Sequence, residues 1–213
     1  MGLRVEQAEL KSLNYPLYLC TSFVSPSNRG LLQDLLSLSC NLTNAITQPS
    51  EQMLKAIRVQ WWIDCITELQ KKNSPLSDRI ISYICDGRLD KGKILSIIGK
   101  FQKASFADSS DEYLKDCWGS IFDYYCVLSN QDRLESINLL GSLISYIAFN
   151  PEKLEKLIKN KELYREMNVI SSIKSQDGFI KSCVYLLVLT EQNKLKNFKF
   201  LPFRLFFNML FRK

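Results

Sequence analysis

Ser25-Pro26 stands directly ahead of a run in which Leu31, Leu35, Leu38, Leu42 and Ile46 recur every three or four residues. Proline fits a first helical position because the N–H it lacks would have no partner there, and the serine before it offers a cap. The spacing predicts a helix over about 28–47 with one apolar stripe. The same grammar of cap, apolar period and breaker governs most of the chain, while strand signals are weak.

After Pro49-Ser50, a second helix is expected over about 51–72, burying Leu54, Ile57, Trp61, Cys65 and Leu69, with Arg58, Trp62 and Ile66 as the adjoining row. Asn73-Ser-Pro75 ends it. A short helix over 78–85 meets a turn at Asp86-Gly87, and Asp90 caps a helix to about Lys103. Ser109-Ser-Asp-Glu112 is a capping-box pattern opening a helix to about Leu128. Asp132-Arg-Leu-Glu135 opens the next, to Phe149, and Asn150-Pro151 the one after. Gly178 marks a break before an apolar helix over 179–190, and Pro202 starts a last one. The sum is an all-α chain of eight to ten helices in a single domain, 1–213, with residues 1–14 as a loosely ordered start and no internal repeat.

Charge and residue types exclude whole classes of chemistry. There is no histidine and no Cys-x-x-Cys pair, which removes the commonest zinc ligand sets and both Ser-His and Cys-His nucleophilic catalysis. The seven cysteines are odd in number, scattered and mostly beside an apolar residue, and read as reduced, buried thiols. The net charge of +6 belongs to the end of the chain: from Lys194 onward there are six bases and no acid, and before it 22 bases meet 22 acids. A neutral body speaks against a nucleic-acid partner. No apolar run approaches the roughly 20 residues of a membrane-spanning helix. The first residues carry acids and no hydrophobic signal core, so a bacterial cytoplasm is expected, peripheral to the inner membrane, with the mitochondrial matrix as the alternative.

Ile57-Arg-Val-Gln-Trp-Trp-Ile-Asp64 holds two of the three tryptophans beside an arginine. Aromatic residues at helical spacing usually pack a core. Arg58, one turn before Trp62 and next to an apolar row, must reach water or an anionic partner, which points to the lining of a pocket.

That string resembles the Arg-x-Gln-Trp-Trp-x-Asp element of the squalene/phytoene synthase family of head-to-head prenyl synthases. It resembles more closely the family's degenerate branch, which includes a mitochondrial complex I assembly factor. The similarity also takes in Tyr18-Leu-Cys-Thr-Ser-Phe-Val-Ser-Pro26 with Arg29, the 31–46 helix, Asp111-Glu-Tyr-Leu-Lys-Asp-Cys-Trp-Gly-Ser120 and Phe200-Leu-Pro202; it covers roughly residues 15–149 well and the rest poorly. It implies an isoprenoid-synthase-like helical bundle around a central cavity, lined here by Arg29, Asn41, Arg58, Trp61 and Trp62, with an isoprenoid or lipid as its ligand class. Active members hold Mg²⁺ on two Asp-rich motifs that bind and ionise a diphosphate, because hard cations want carboxylate oxygens aimed into one cavity. Aligning the apolar pattern of the 31–46 helix sets Asn41 and Ala45 where the first pair of acids should be. The second motif should follow Phe149, where 151–174 contains no Asp and Asn150 replaces an expected arginine. Glu162 and Glu166 lie four apart there, among Lys159, Lys161 and Arg165, as a solvated face does.

The resemblance therefore implies a protein without catalytic residues or cofactor, acting as a binding or respiratory-complex assembly-factor-like protein. The alternative is a divergent Mg²⁺-dependent prenyltransferase acting on isoprenoid diphosphates through unusual carboxylates such as Asp64 and Glu68. A helical interaction module with a filled core is the third reading. Near the end, Phe203, Phe206, Phe207 and Leu210 share a helical face bracketed by Arg204 and Arg212. It reads either as a terminal helix docked on the domain or as a contact for an anionic membrane or a protein partner.

Overall fold

In the computed structural model, residues 8–70, 74–107, 110–130, 136–149 and 177–191 are described, and nothing else is. They form helices joined by short turns, with no strand among them. The helices are α1 (Ala8–Leu13), α2 (Tyr15–Thr21), α3 (Pro26–Thr47), α4 (Gln52–Glu68), α5 (Pro75–Cys85), α6 (Lys91–Ser105), α7 (Ser110–Leu128), α8 (Ile137–Phe149) and α9 (Gly178–Glu191). The expected all-α bundle is what is found. None of these helices is long and apolar enough to cross a membrane.

The starts follow local chemistry. Asn14 Oδ1 accepts from the N–H of Leu17 ahead of α2, Asp90 Oδ1 from Lys93 ahead of α6, and Asp177 Oδ1 from Ile180 ahead of α9, each satisfying an orphan donor of a first turn. Ser25 holds the N-cap position of α3, but its hydroxyl pairs with that of Ser27 rather than with the backbone. α5 starts at Pro75, earlier than its periodicity suggests, because Ser74 caps it. α4 stops short of the expected 72: Leu69 takes a left-handed conformation, φ 53° and ψ 31°, and closes the helix. At Asp86-Gly87 the chain turns as expected, with Gly87 at φ 70°.

α3 is the axis of the molecule, and its burial exceeds the single stripe that its leucines suggest. Leu31 to Cys40 are buried without a break, because α1, α2, α4, α5, α6 and α7 all pack on it. Around it α4 pairs with α6, α6 with α7 and α7 with α8, while α9 lies against α2 and α8. A helix buried on all sides must find partners for its polar side chains inside the protein. Gln33 donates to Thr21 Oγ1 of α2 at 2.9 Å. Asp34 takes a fork of two bonds from Arg79 of α5, both 2.9 Å, and a third from the Tyr83 hydroxyl at 3.1 Å. Asn41 donates to Glu9 of α1, and Thr43 accepts the indole N–H of Trp118 of α7 at 3.1 Å. Each of four neighbouring helices is thus addressed by its own polar residue on α3.

The early residues are part of this frame. Leu10 of α1 and Leu17 and Cys20 of α2 are buried in the common core. Six of the seven cysteines are buried and Cys85 is exposed, in line with the expected buried thiols. Burial pushes the thiols of Cys40 and Cys117 up to about 12 and that of Cys126 up to about 11.

α7 and α8 approach closely where Gly141 faces Trp118 and Gly119. A Cβ on Gly141 would lie 2.5 Å from the Trp118 carbonyl oxygen and 2.9 Å from the Gly119 Cα, both backbone atoms that cannot rotate aside. At Gly99 in α6 a Cβ meets nothing within 4 Å. Helix propensity favours alanine over glycine at both sites by about 1 kcal/mol. Gly99→Ala is therefore expected to stabilise the protein by roughly 0.5–1 kcal/mol, and Gly141→Ala to destabilise it by about 1–3 kcal/mol through overpacking. Urea unfolding of the two variants would check both signs.

Candidate functional site

The Trp-Trp string lies on α4, and the structure shifts the expected buried face toward Trp62 and Ile66, with Cys65 buried as expected. Leu54 and Ile57 are exposed and Trp61 half-buried, whereas Val59, Trp62, Cys65 and Ile66 form the buried row. The reason is the approach of α6 and α3: they cover the face centred on Trp62 and Ile66, and leave the neighbouring row open toward the second half of α3. Trp61 and Trp62 meet edge to face, centroids 4.9 Å apart and planes at 83°. Trp62 anchors the helix in the core, and Trp61 stands over the opening.

Between the two helices lies an open groove of about 450 Å³. α3 contributes Asn41, Asn44, Ala45 and Gln48, one face at steps of three and four, and α4 contributes Ile57, Arg58, Trp61 and Trp62. Of the expected pocket residues, Asn41, Arg58, Trp61 and Trp62 come together here with Ala45. Three lining residues escaped the sequence reading. Asn44 and Gln48 share the helical face of Asn41 and carry the signal for it; Ile57 had been assigned to the core stripe.

Arg29 stands elsewhere, which corrects its expected place in the pocket. It is at the start of α3, where its Nη2 donates to the carbonyls of Ser22 at 3.0 Å and Val24 at 3.1 Å. These carbonyls follow the end of α2, so the guanidinium holds the α2–α3 corner. Arg204, Phe206, Phe207, Leu210 and Arg212 lie outside the described residues, as do Asn150, Glu162 and Glu166.

The lining carries amides, two indoles, an isoleucine, an alanine methyl and one guanidinium. Among the described residues Arg58 has no hydrogen-bond or ion-pair partner, so its charge is available to an anion in the groove. The surface can hold an apolar body against the indoles and a polar or anionic end at Arg58 and the amides. Among the described residues its lining includes no Asp, Glu, His or Cys to act as a general acid or base.

The donor set does not fit Mg²⁺. Asn41 directs its amide N–H toward Glu9 Oε1 at 3.1 Å and the Ser37 carbonyl at 3.0 Å, and Ala45 presents a methyl group. The nearby carboxylates are engaged: Glu9 Oε2 lies 3.6 Å from Arg79, and Asp34 is held by Arg79 and Tyr83. Burial first, and then the Asp34 charge, push the Tyr83 hydroxyl up to about 12. The unusual carboxylates weighed from sequence are not in the groove. Asp64 Oδ1 accepts from Gln60 at 2.7 Å, and Gln60 Oε1 accepts in turn from Gln102 of α6; Glu68 is exposed. Asp90 caps α6, and Asp116 pairs with Lys100 at 2.8 Å.

No protein-family model matches the chain, and neither a curated protein nor a solved structure does.

Two arginines of this region differ in their surroundings and should differ in their effect on stability. Arg79→Ala strands the carboxylate of Asp34, whose side chain is only 6% exposed, and is expected to destabilise the protein by about 3–5 kcal/mol. Arg58→Ala removes an exposed side chain without a partner among the described residues and should stay within about 0.5 kcal/mol. Denaturant midpoints of the two variants measure the contrast.

Proposed function

We propose that the chain is a non-catalytic protein of squalene/phytoene synthase ancestry, a binding or assembly-factor-like protein that uses the α3–α4 groove to hold a ligand or a partner. One observation carries the reading. Two of the segments that carry the resemblance, on α3 and α4, face each other across the groove, and the positions where the first pair of metal-binding acids would be needed carry Asn41 and Ala45.

The indoles and Arg58 are the parts that such a protein keeps. Binding an elongated apolar molecule needs a surface and a place for its polar end, and no cation. Ionising a diphosphate needs several carboxylates converging on Mg²⁺, and among the described residues the groove lining contains none. The prenyltransferase alternative has no observation in its favour, because Asp64 and Glu68 lie apart from the groove.

Incubation with Mg²⁺ and farnesyl or geranylgeranyl diphosphate tests the reading. No diphosphate release above a protein-free control is expected, and clear turnover contradicts the proposal. A fluorescence titration with the same compounds without Mg²⁺ reads the groove: Trp61 should respond, and Arg58→Ala should weaken the response by about tenfold, the worth of a charge-assisted hydrogen bond.

A further inference from the structure

Hydrogen bonding gives the two walls of the α3–α4 groove opposite characters. The α4 wall can only donate: its polar groups in the lining are the Arg58 guanidinium and the indole N–H groups of Trp61 and Trp62. The α3 wall holds an acceptor of fixed orientation at Asn41. The nitrogen of its amide lies 3.1 Å from the Glu9 carboxylate and 3.0 Å from the Ser37 carbonyl, so both amide protons are taken, and Arg79 holds Glu9 in turn. Turning the amide round would set its oxygen against two acceptors. Ser37 is one turn back along α3, so the carbonyl oxygen is turned forward, toward the turn that bears Asn44 and Ala45. No donor among the described residues reaches it.

Acceptor and donors meet across the groove. α3 ends at Thr47 and α4 begins at Gln52, so Asn41 and Arg58 are each six residues from the short connection and stand opposite one another on antiparallel neighbours. Packed helix axes lie about 8–10 Å apart, and two side chains reaching into that span leave room for a group of a few atoms. An anion set at Asn41 would meet the carbonyl oxygen, with Glu9 behind the amide; at Arg58 it meets a guanidinium that has no ion-pair partner among the described residues. The other charges on α4 and its connection, Glu51, Lys55, Asp64 and Glu68, are not in the lining. Ile57, Ala45 and the ring faces of the indoles make the remainder apolar, and about 450 Å³ is within the range of small-molecule sites.

We infer that the groove takes a hydroxy acid with an apolar chain: its carboxylate on Arg58, a hydroxyl two or three bonds away donating to Asn41 Oδ1, and its chain along the indoles and Ile57. The inference rests on the groove being a ligand site, and adds to that reading the hydroxyl and the part of Asn41 in selecting it. A carboxylate without the hydroxyl covers Asn41 Oδ1 and gives it no donor, which is the source of the preference.

The test is isothermal titration calorimetry of the full chain with dodecanoate, 3-hydroxydodecanoate and 12-hydroxydodecanoate. The better-bound enantiomer of 3-hydroxydodecanoate is expected to bind about fivefold more tightly than dodecanoate, the worth of one neutral hydrogen bond. 12-Hydroxydodecanoate, with its hydroxyl at the far end of the chain, should gain nothing over dodecanoate. Asn41→Leu should bring the ratio of the first two affinities to about one, and Arg58→Ala should weaken both compounds by about tenfold while keeping their ratio. Circular dichroism establishes that each variant is folded, and the three compounds on the unmodified protein decide the inference if the Asn41 variant is not. Equal binding of dodecanoate and 3-hydroxydodecanoate, weakened by Arg58→Ala, overturns the inference and leaves the groove a ligand site. A gain shared by 12-hydroxydodecanoate, a preference that survives in folded Asn41→Leu, or binding that Arg58→Ala leaves unchanged also overturns it. If none of the three binds, the groove's reading as a site for an apolar ligand falls with it.

Discussion

A helix buried on every side cannot leave a polar group unpaired, and that constraint organises this molecule. From Leu31 to Cys40 every residue of α3 is buried, yet it carries Gln33, Asp34, Ser37 and Ser39 within that stretch. Ser37, Ser39 and, a turn later, Thr43 return their hydroxyls to carbonyls one turn back on their own helix. The other polar residues must be answered from outside, and the answers come from Thr21, Arg79 with Tyr83, Glu9 and Trp118. Apolar burial supplies the driving force for packing on α3, but it is indifferent to register. The polar contacts decide which face of each neighbour meets it.

This arrangement explains why the groove is where it is. Residues 31–40 of α3 are enclosed by its neighbours, and beyond Cys40 the face bearing Asn41, Asn44 and Gln48 opens toward α4. There α4 brings Trp62 down into the core and lifts Trp61 and Arg58 to the rim. The groove's polar character comes from α3 and its aromatic wall from α4.

Much of the helical plan was legible because it is local chemistry. Asp90 before Lys91, Ser25-Pro26 before a leucine period and Asp86-Gly87 at a turn each act within four residues of themselves. Periodicity also grouped Asn41, Arg58, Trp61 and Trp62, though only with a family resemblance to set two separate helices side by side. What was not legible depends on distant partners. The exposed row of α4 has the same spacing as a buried one, and only the directions from which α3 and α6 approach decide between them. The Asp34–Arg79 fork joins residues 45 positions apart and leaves no local trace in either helix. Arg29 reads as a pocket residue by its place in a motif, but the carbonyls at the end of α2 are nearer than any ligand.

The claim on which the rest stands is that α3 is the enclosed axis of the fold. Native-state hydrogen exchange measures this directly. The backbone N–H groups of residues 31–40 should exchange only through global unfolding, with the same free energy as denaturant unfolding and more slowly than those of the exposed first turns of α4. Exchange of 31–40 by local opening, at a free energy well below the global value, would contradict the account.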